Sequence, residues 1–241
     1  MHFYYLMDFL EGRVFNDAQM PGVSPAERRA LYLSVAETLA RLHAVRPDEV
    51  GLGDFGRPGG YFQRQVRRWS EQLDASTLPD LEDLHTLRSR IVAAMPEDDG
   101  AVSIAHGDFR VGNMMFHPTE PRVIAVLDWE LSTIGHPLAD LGFCCLPWAT
   151  SSDEYGGILD LDRAALGIPT EEEFVATYHA HLPSVGPLLP FHKAFALFRF
   201  AVIFVGIAER AEAGVAAGAN AANLAPLARR FALRGLEVLG A

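Results

Sequence analysis

Ser103-Ile104-Ala105-His106-Gly107-Asp108-Phe109-Arg110-Val111-Gly112-Asn113-Met114-Met115-Phe116, followed by Val123-Ile124-Ala125-Val126-Leu127-Asp128-Trp129-Glu130, is the stretch around which this 241-residue chain is organised. Apolar runs this short, bounded by Gly and polar residues, read as strands, here over about 102–105, 114–116 and 122–127. Asp108 and Asn113 then lie on one connecting loop, and Asp128 leaves the end of the next strand. Three oxygen-bearing side chains converge on one patch.

Hard cations such as Mg2+ prefer carboxylate and amide oxygens and keep waters and substrate phosphates as further ligands, so Asn113 and Asp128 suffice as protein ligands. Asp108 stays free as a base. The Asp-to-Asn spacing is that of the protein-kinase catalytic loop, with Gly107 in place of the kinase Arg. The plainer alternatives are that Asp108 caps a turn and that Asn113 and Asp128 pair with each other. Metal ligation is favoured because an Asp behind a buried strand needs a charge partner. Glu130 is close enough in sequence to join through a water, and His106 reads as a scaffold hydrogen-bonded to loop backbone.

His106-Gly107-Asp108 with Asn113, Leu127-Asp128-Trp129-Glu130, and Gly135-His136-Pro137 with Asp140-Leu141-Gly142 together resemble the aminoglycoside phosphotransferase and choline kinase superfamily. Within it they look like the phosphotransferase-like domains fused to, or encoded near, acyl-CoA dehydrogenases. The resemblance runs from about Tyr4 to the C-terminus, with its motifs confined to residues 106–142. It implies an α+β, protein-kinase-like fold, mainly the helical C-terminal lobe with a small β-sheet at the catalytic loop. It implies ATP and Mg2+ as cofactors and a small-molecule hydroxyl as acceptor: a hydroxyacyl thioester, or an aminoglycoside-like or choline-like alcohol. Asp108 becomes the general base, Arg110 a forked donor to the transferring phosphate, and Asp140 the buried carboxylate that fastens the loop by its backbone N–H groups.

Phe3 to Met7 reads as a strand running into Asp8-Phe9-Leu10-Glu11-Gly12. By resemblance, residues 1–12 are the last strand of the small N-terminal lobe and the hinge, Met7, Asp8, Phe9 and Leu10 contact the nucleotide, and residues 13–241 form the C-terminal lobe. The family's Gly-rich loop, strand lysine and partner glutamate are not found ahead of Phe3. A rival expectation follows, a truncated non-catalytic relative acting as a nucleotide-binding or interaction module; a longer natural chain is the third reading. An unpaired Phe3–Met7 edge would also favour self-association.

A hydrophobic content of 49% is ample for a core, and a net charge of −11 argues against nucleic acid or an anionic membrane as partner. Cys144 and Cys145 are adjacent and ill placed for a bridge, which with no secretion signal points to the cytoplasm. Ala194 to Ala208 is apolar but carries Arg199, so a buried core helix is expected. Capping boxes at Ser24-Pro25-Ala26-Glu27 and Thr170-Glu171-Glu172-Glu173 open helices to about Ala44 and through His181. Further helices are expected over Tyr61–Leu73, Leu81–Met95, Leu188–Ala213 and Ala219–Leu239, and over Pro137–Leu146 with Pro147 ending it. Arg64, Arg67 and Arg68 read as a solvated face, and His117, His179, His181 and His192 lack metal-site spacing.

Overall fold

The computed structural model describes residues 8–212 and 221–240. The expected strand Phe3–Met7, with Met7 as a nucleotide contact, lies outside the described residues.

Helix α1 (Pro25–His43) begins where Ser24 Oγ accepts the Glu27 N–H, and it buries Leu31, Val35 and Leu39. Helices α2 (Tyr61–Asp74) and α3 (Glu82–Ala94) follow. Four short strands come next: β1 (Ser103–Ala105), β2 (Met114–Phe116), β3 (Val123–Val126) and β4 (Thr133–Gly135). β1 pairs antiparallel with β4, Ile104 opposite Ile134, and β2 with β3, Met114 opposite Val126. The strands therefore form two separate two-stranded ladders, and residues 106–113 cross from one to the other. Ladders this small are marginal alone, so packing against helices holds them in place.

After β4 come α4 (Pro137–Cys144), the one-turn helices α5 (Leu146–Ala149) and α6 (Arg163–Leu166), then α7 (Glu171–His181), α8 (Pro190–Glu212) and α9 (Ala221–Val238). The Thr170 box at α7 is reciprocal: Thr170 Oγ1 accepts the Glu173 N–H at 3.2 Å and Glu173 accepts the Thr170 N–H at 2.9 Å. Pro147 does not end a helix, contrary to expectation. Cys145 closes α4 and Pro147 sits in the first turn of α5, where a missing N–H breaks no helical bond.

Two apolar cores result. One joins α2, α3, α8 and α9 through Phe62, Leu84, Phe195 and Phe231; the other joins α1, β2 and α7 through Leu39, Phe116 and Phe174. Helix α4 belongs to both, Phe143 facing the first and Leu141 the second. The span Pro190–Ala211 is long and apolar enough to cross a membrane by length and composition, yet 72% of its most apolar window is buried in the protein. That matches the expected core helix. Arg67 is exposed beside Glu71, while Arg64 folds back onto the Arg57 and Gly59 carbonyls.

Candidate active site

The loop between the two ladders is fixed first by backbone. Gly107 has φ of +84°, and a Cβ there would stand 2.7 Å from the Leu131 carbonyl oxygen. Gly107→Ala is therefore expected to destabilise the protein by about 1–3 kcal/mol, read as a lower urea midpoint at unchanged slope. From the first turn of α4 the buried Asp140 carboxylate reaches back and accepts the His106 N–H (2.6 Å) and the Gly107 N–H (2.9 Å). Burial alone would raise the Asp140 pKa, but a contact with His43 and these two N–H groups outweigh it and hold the carboxyl below its usual value. Asp140 is an anion at neutral pH.

The buried His106 imidazole accepts the Asp108 N–H at Nδ1 (3.2 Å), and its Nε2 lies 2.9 Å from the Leu127 carbonyl oxygen, to which it donates. Both ring nitrogens are thus occupied by backbone. That is a scaffold's geometry, and it ties the loop to the residue before Asp128.

Asp108 Oδ2 accepts Asn113 Nδ2 at 2.7 Å and Arg110 Nε at 3.2 Å, and the same Asn113 amide nitrogen donates to the Asp108 carbonyl at 2.8 Å. With its nitrogen so used, Asn113 keeps Oδ1 without a donor among the described residues; so does Asp108 with its own Oδ1. A 3-10 turn over Val111–Asn113 sets this up, and the Leu127 N–H bonds the Asn113 carbonyl at 2.8 Å, bringing Asp128 next to Asn113. Asp128 adopts φ 66° and ψ 63°, a left-handed conformation uncommon for a residue with a side chain. Its exposed carboxylate has no hydrogen bond among the described residues, so the strain serves no local contact. Glu130 is exposed, and Trp129 packs its ring 4.8 Å from that of His106.

The structure thus brings together Asp108, Arg110, Asn113, Asp128, His106 and Asp140. Asp8, Phe9 and Leu10, the expected nucleotide contacts, are all exposed, Phe9 to 90%. The chain joins the site just after them, where Arg13 and Phe116 exchange two backbone bonds of 2.8 Å.

Sequence reasoning missed Arg199. Its guanidinium donates to the Gly107 carbonyl from α8 and lies over the rings of Trp69 and Phe143. The signal was available, since one cation inside an apolar run needs a partner.

A cavity of about 340 Å³ opens beside Arg110, walled by Tyr32, Phe143, Trp148, Phe174 and Phe231. The carboxylate lining it, Glu154, is buried and already accepts Arg230 Nε (2.8 Å) and Arg234 Nε (3.0 Å). Cys144 also lines the cavity; burial pushes its thiol pKa up, and the thiol donates to the Phe109 carbonyl.

A family model described as phosphotransferase enzyme family (APH) matches residues 1–174. The chain is 40% identical over 240 residues to acyl-CoA dehydrogenase family member 11 of Gallus gallus, an overlap of 98% of this chain and 31% of that protein. It is 36% identical over 239 residues to the probable acyl-CoA dehydrogenase IBR3 of Arabidopsis thaliana, covering 91% and 28%. The chain therefore spans about a third of the length of the curated relatives it matches. Among solved structures it is similar to a putative aminoglycoside phosphotransferase from Ralstonia eutropha, at 42% identity and a TM-score of 0.92, covering 97% of this chain and 72% of that one. An aminoglycoside phosphotransferase APH(4)-Ia mutant, solved as a ternary complex with AMP-PNP and hygromycin B, shares the fold at 13% identity and a TM-score of 0.60, covering 94% and 70%.

Proposed function

The chain belongs to the phosphotransferase enzyme family, and from that premise we propose that it transfers the γ-phosphoryl group of ATP, with Mg2+, to the hydroxyl of a small molecule. The observation that carries this is the Asp108 carboxylate, clamped on one oxygen by Asn113 and Arg110 and open on the other, with Arg110 also lining a cavity.

Phosphoryl transfer has a loose transition state, so the chain's own work is positioning. Asp108 Oδ1 orients the acceptor hydroxyl and takes its proton late. Arg110, held to Asp108 through Nε, keeps its remaining N–H donors for phosphate oxygens. The donor set fits Mg2+: an unpaired Asp128 carboxylate and an Asn113 amide oxygen, with no nitrogen or sulfur donor between them. Bound there, Mg2+ would neutralise charge on the β- and γ-phosphates.

The cavity argues for the acceptor's character. Its walls are aromatic and its carboxylate is spent on two arginines, so it suits an alcohol on an apolar chain, such as a hydroxyacyl thioester. A polycationic aminoglycoside would find no free carboxylate on Glu154. The test is ADP release from Mg·ATP across a hydroxyacyl thioester, an aminoglycoside and choline, with thermal unfolding in parallel. Turnover is expected with the first, and Mg·ATP at 100 times its dissociation constant should add about 2.7 kcal/mol of stability. A thermal shift without turnover would instead favour a nucleotide-binding module. Absence of both would remove the phosphotransferase reading of this chain.

A further inference from the structure

Behind Asp140 lies a buried polar chain that the proposed chemistry does not use. Tyr178 on α7 has its hydroxyl 2.7 Å from His43 Nδ1, and His43 Nε2, at the end of α1, is 3.4 Å from Asp140 Oδ2. All three side chains are buried. Burial pushes the Tyr178 pKa up, so the phenol keeps its proton and has one to give. It donates to His43 Nδ1, which leaves the ring proton on Nε2, aimed at Asp140. The chain then continues through Asp140 to the His106 and Gly107 N–H groups, the two residues ahead of Asp108.

From this we infer that His43 and Tyr178 are positioning residues: they fix the orientation of Asp140, and through it the backbone of the catalytic loop. A core-filling histidine would need no such directionality. Here each ring nitrogen meets one partner, and each partner lies on a different helix, so α1, α4 and α7 are locked to one another at the site. The carboxylate could otherwise rotate about its last bond and lose one of the two N–H groups, because no other side chain among the described residues bonds it.

The kinetic part of the test rests on the phosphotransfer reading; the exchange part does not. His43→Leu should speed amide hydrogen exchange at His106 and Gly107 and lower kcat about 10- to 100-fold, the range for groups that orient functional residues, while KM for ATP stays within about twofold. His43→Gln should restore most of both, because its amide nitrogen reaches where Nε2 stood and still donates to Asp140. Tyr178→Phe keeps the ring in place and covers the case in which His43→Leu fails to fold; it should raise exchange at the same two amides. Unchanged exchange in folded Tyr178→Phe and His43→Leu would overturn the inference. So would a His43→Gln variant no better than His43→Leu. If the wild type turns nothing over, the exchange pattern alone decides this inference, and the lack of turnover counts only against the proposed function.

Discussion

Asp108→Asn is expected to lower phosphotransfer by about 10²- to 10⁴-fold, the usual contribution of a positioned general base, while leaving Mg·ATP binding close to wild type. The side chain keeps its shape, and a carbonyl oxygen at the Oδ2 position can still accept from Arg110 Nε and Asn113 Nδ2. What disappears is an atom able to take the acceptor's proton. Folding should be little affected, since Asp108 is only partly buried and its substitute can make the same bonds. Asp128→Ala should behave differently. That carboxylate makes no hydrogen bond or ion pair among the described residues, so removing it should leave the fold largely intact, the left-handed backbone remaining because alanine keeps the Cβ, yet weaken Mg2+-dependent nucleotide binding itself. Calorimetric titration of Mg·ATP into both variants, with single-turnover assays, separates the two roles. Equal loss of nucleotide affinity in the two variants would mean that base and metal ligand have been wrongly distinguished.

How far the sequence foretold this site depends on how local each signal is. Ser103 to Asp128 could be read because strand, loop and strand follow within 26 residues, and loop chemistry repeats the spacing of a kinase catalytic loop. The two capped helix starts were equally readable, since the signal spans four residues, although only the Thr170 box is reciprocal and at Ser24 Glu27 turns to Arg13 instead. Strand β4 was not. Three residues carry no period, and what makes them a strand is pairing with β1 some thirty positions earlier, under the Tyr61 ring that leaves room only for a glycine at 135. The same holds for His43 and Tyr178. Each looks like an ordinary helical residue until α1 and α7 converge on the loop. The cavity draws its walls from α1, α4, α5, α7, α8 and α9, so no single window of sequence could announce it.

Removing the Asp140 carboxylate should produce the largest loss of stability of any single change at the site. Asp140→Ala strands the His106 and Gly107 N–H groups in a buried place and leaves His43 facing a void. Breaking a buried, hydrogen-bonded charge typically costs about 3–5 kcal/mol, a large part of the whole stability of a domain. Asp140→Asn fills the void but turns an amide N–H₂ toward one backbone N–H, so it should be intermediate. The sign of the pH dependence follows from the depressed pKa. Because the folded protein holds this carboxyl below its ordinary value of 3.8, its contribution is fully present above that pH and is lost as pH falls through the lower folded value. Urea unfolding at pH 7 and at steps down from pH 5 would measure both effects. The wild type should lose stability faster than Asp140→Asn as the pH drops below about 3.8, so that the gap between them narrows in acid. A gap that stays constant to pH 3 would show that folding leaves the Asp140 pKa unshifted, and a gap that widens in acid would show that the carboxyl is neutral in the fold, the loop then being held by its shape and not by the charge.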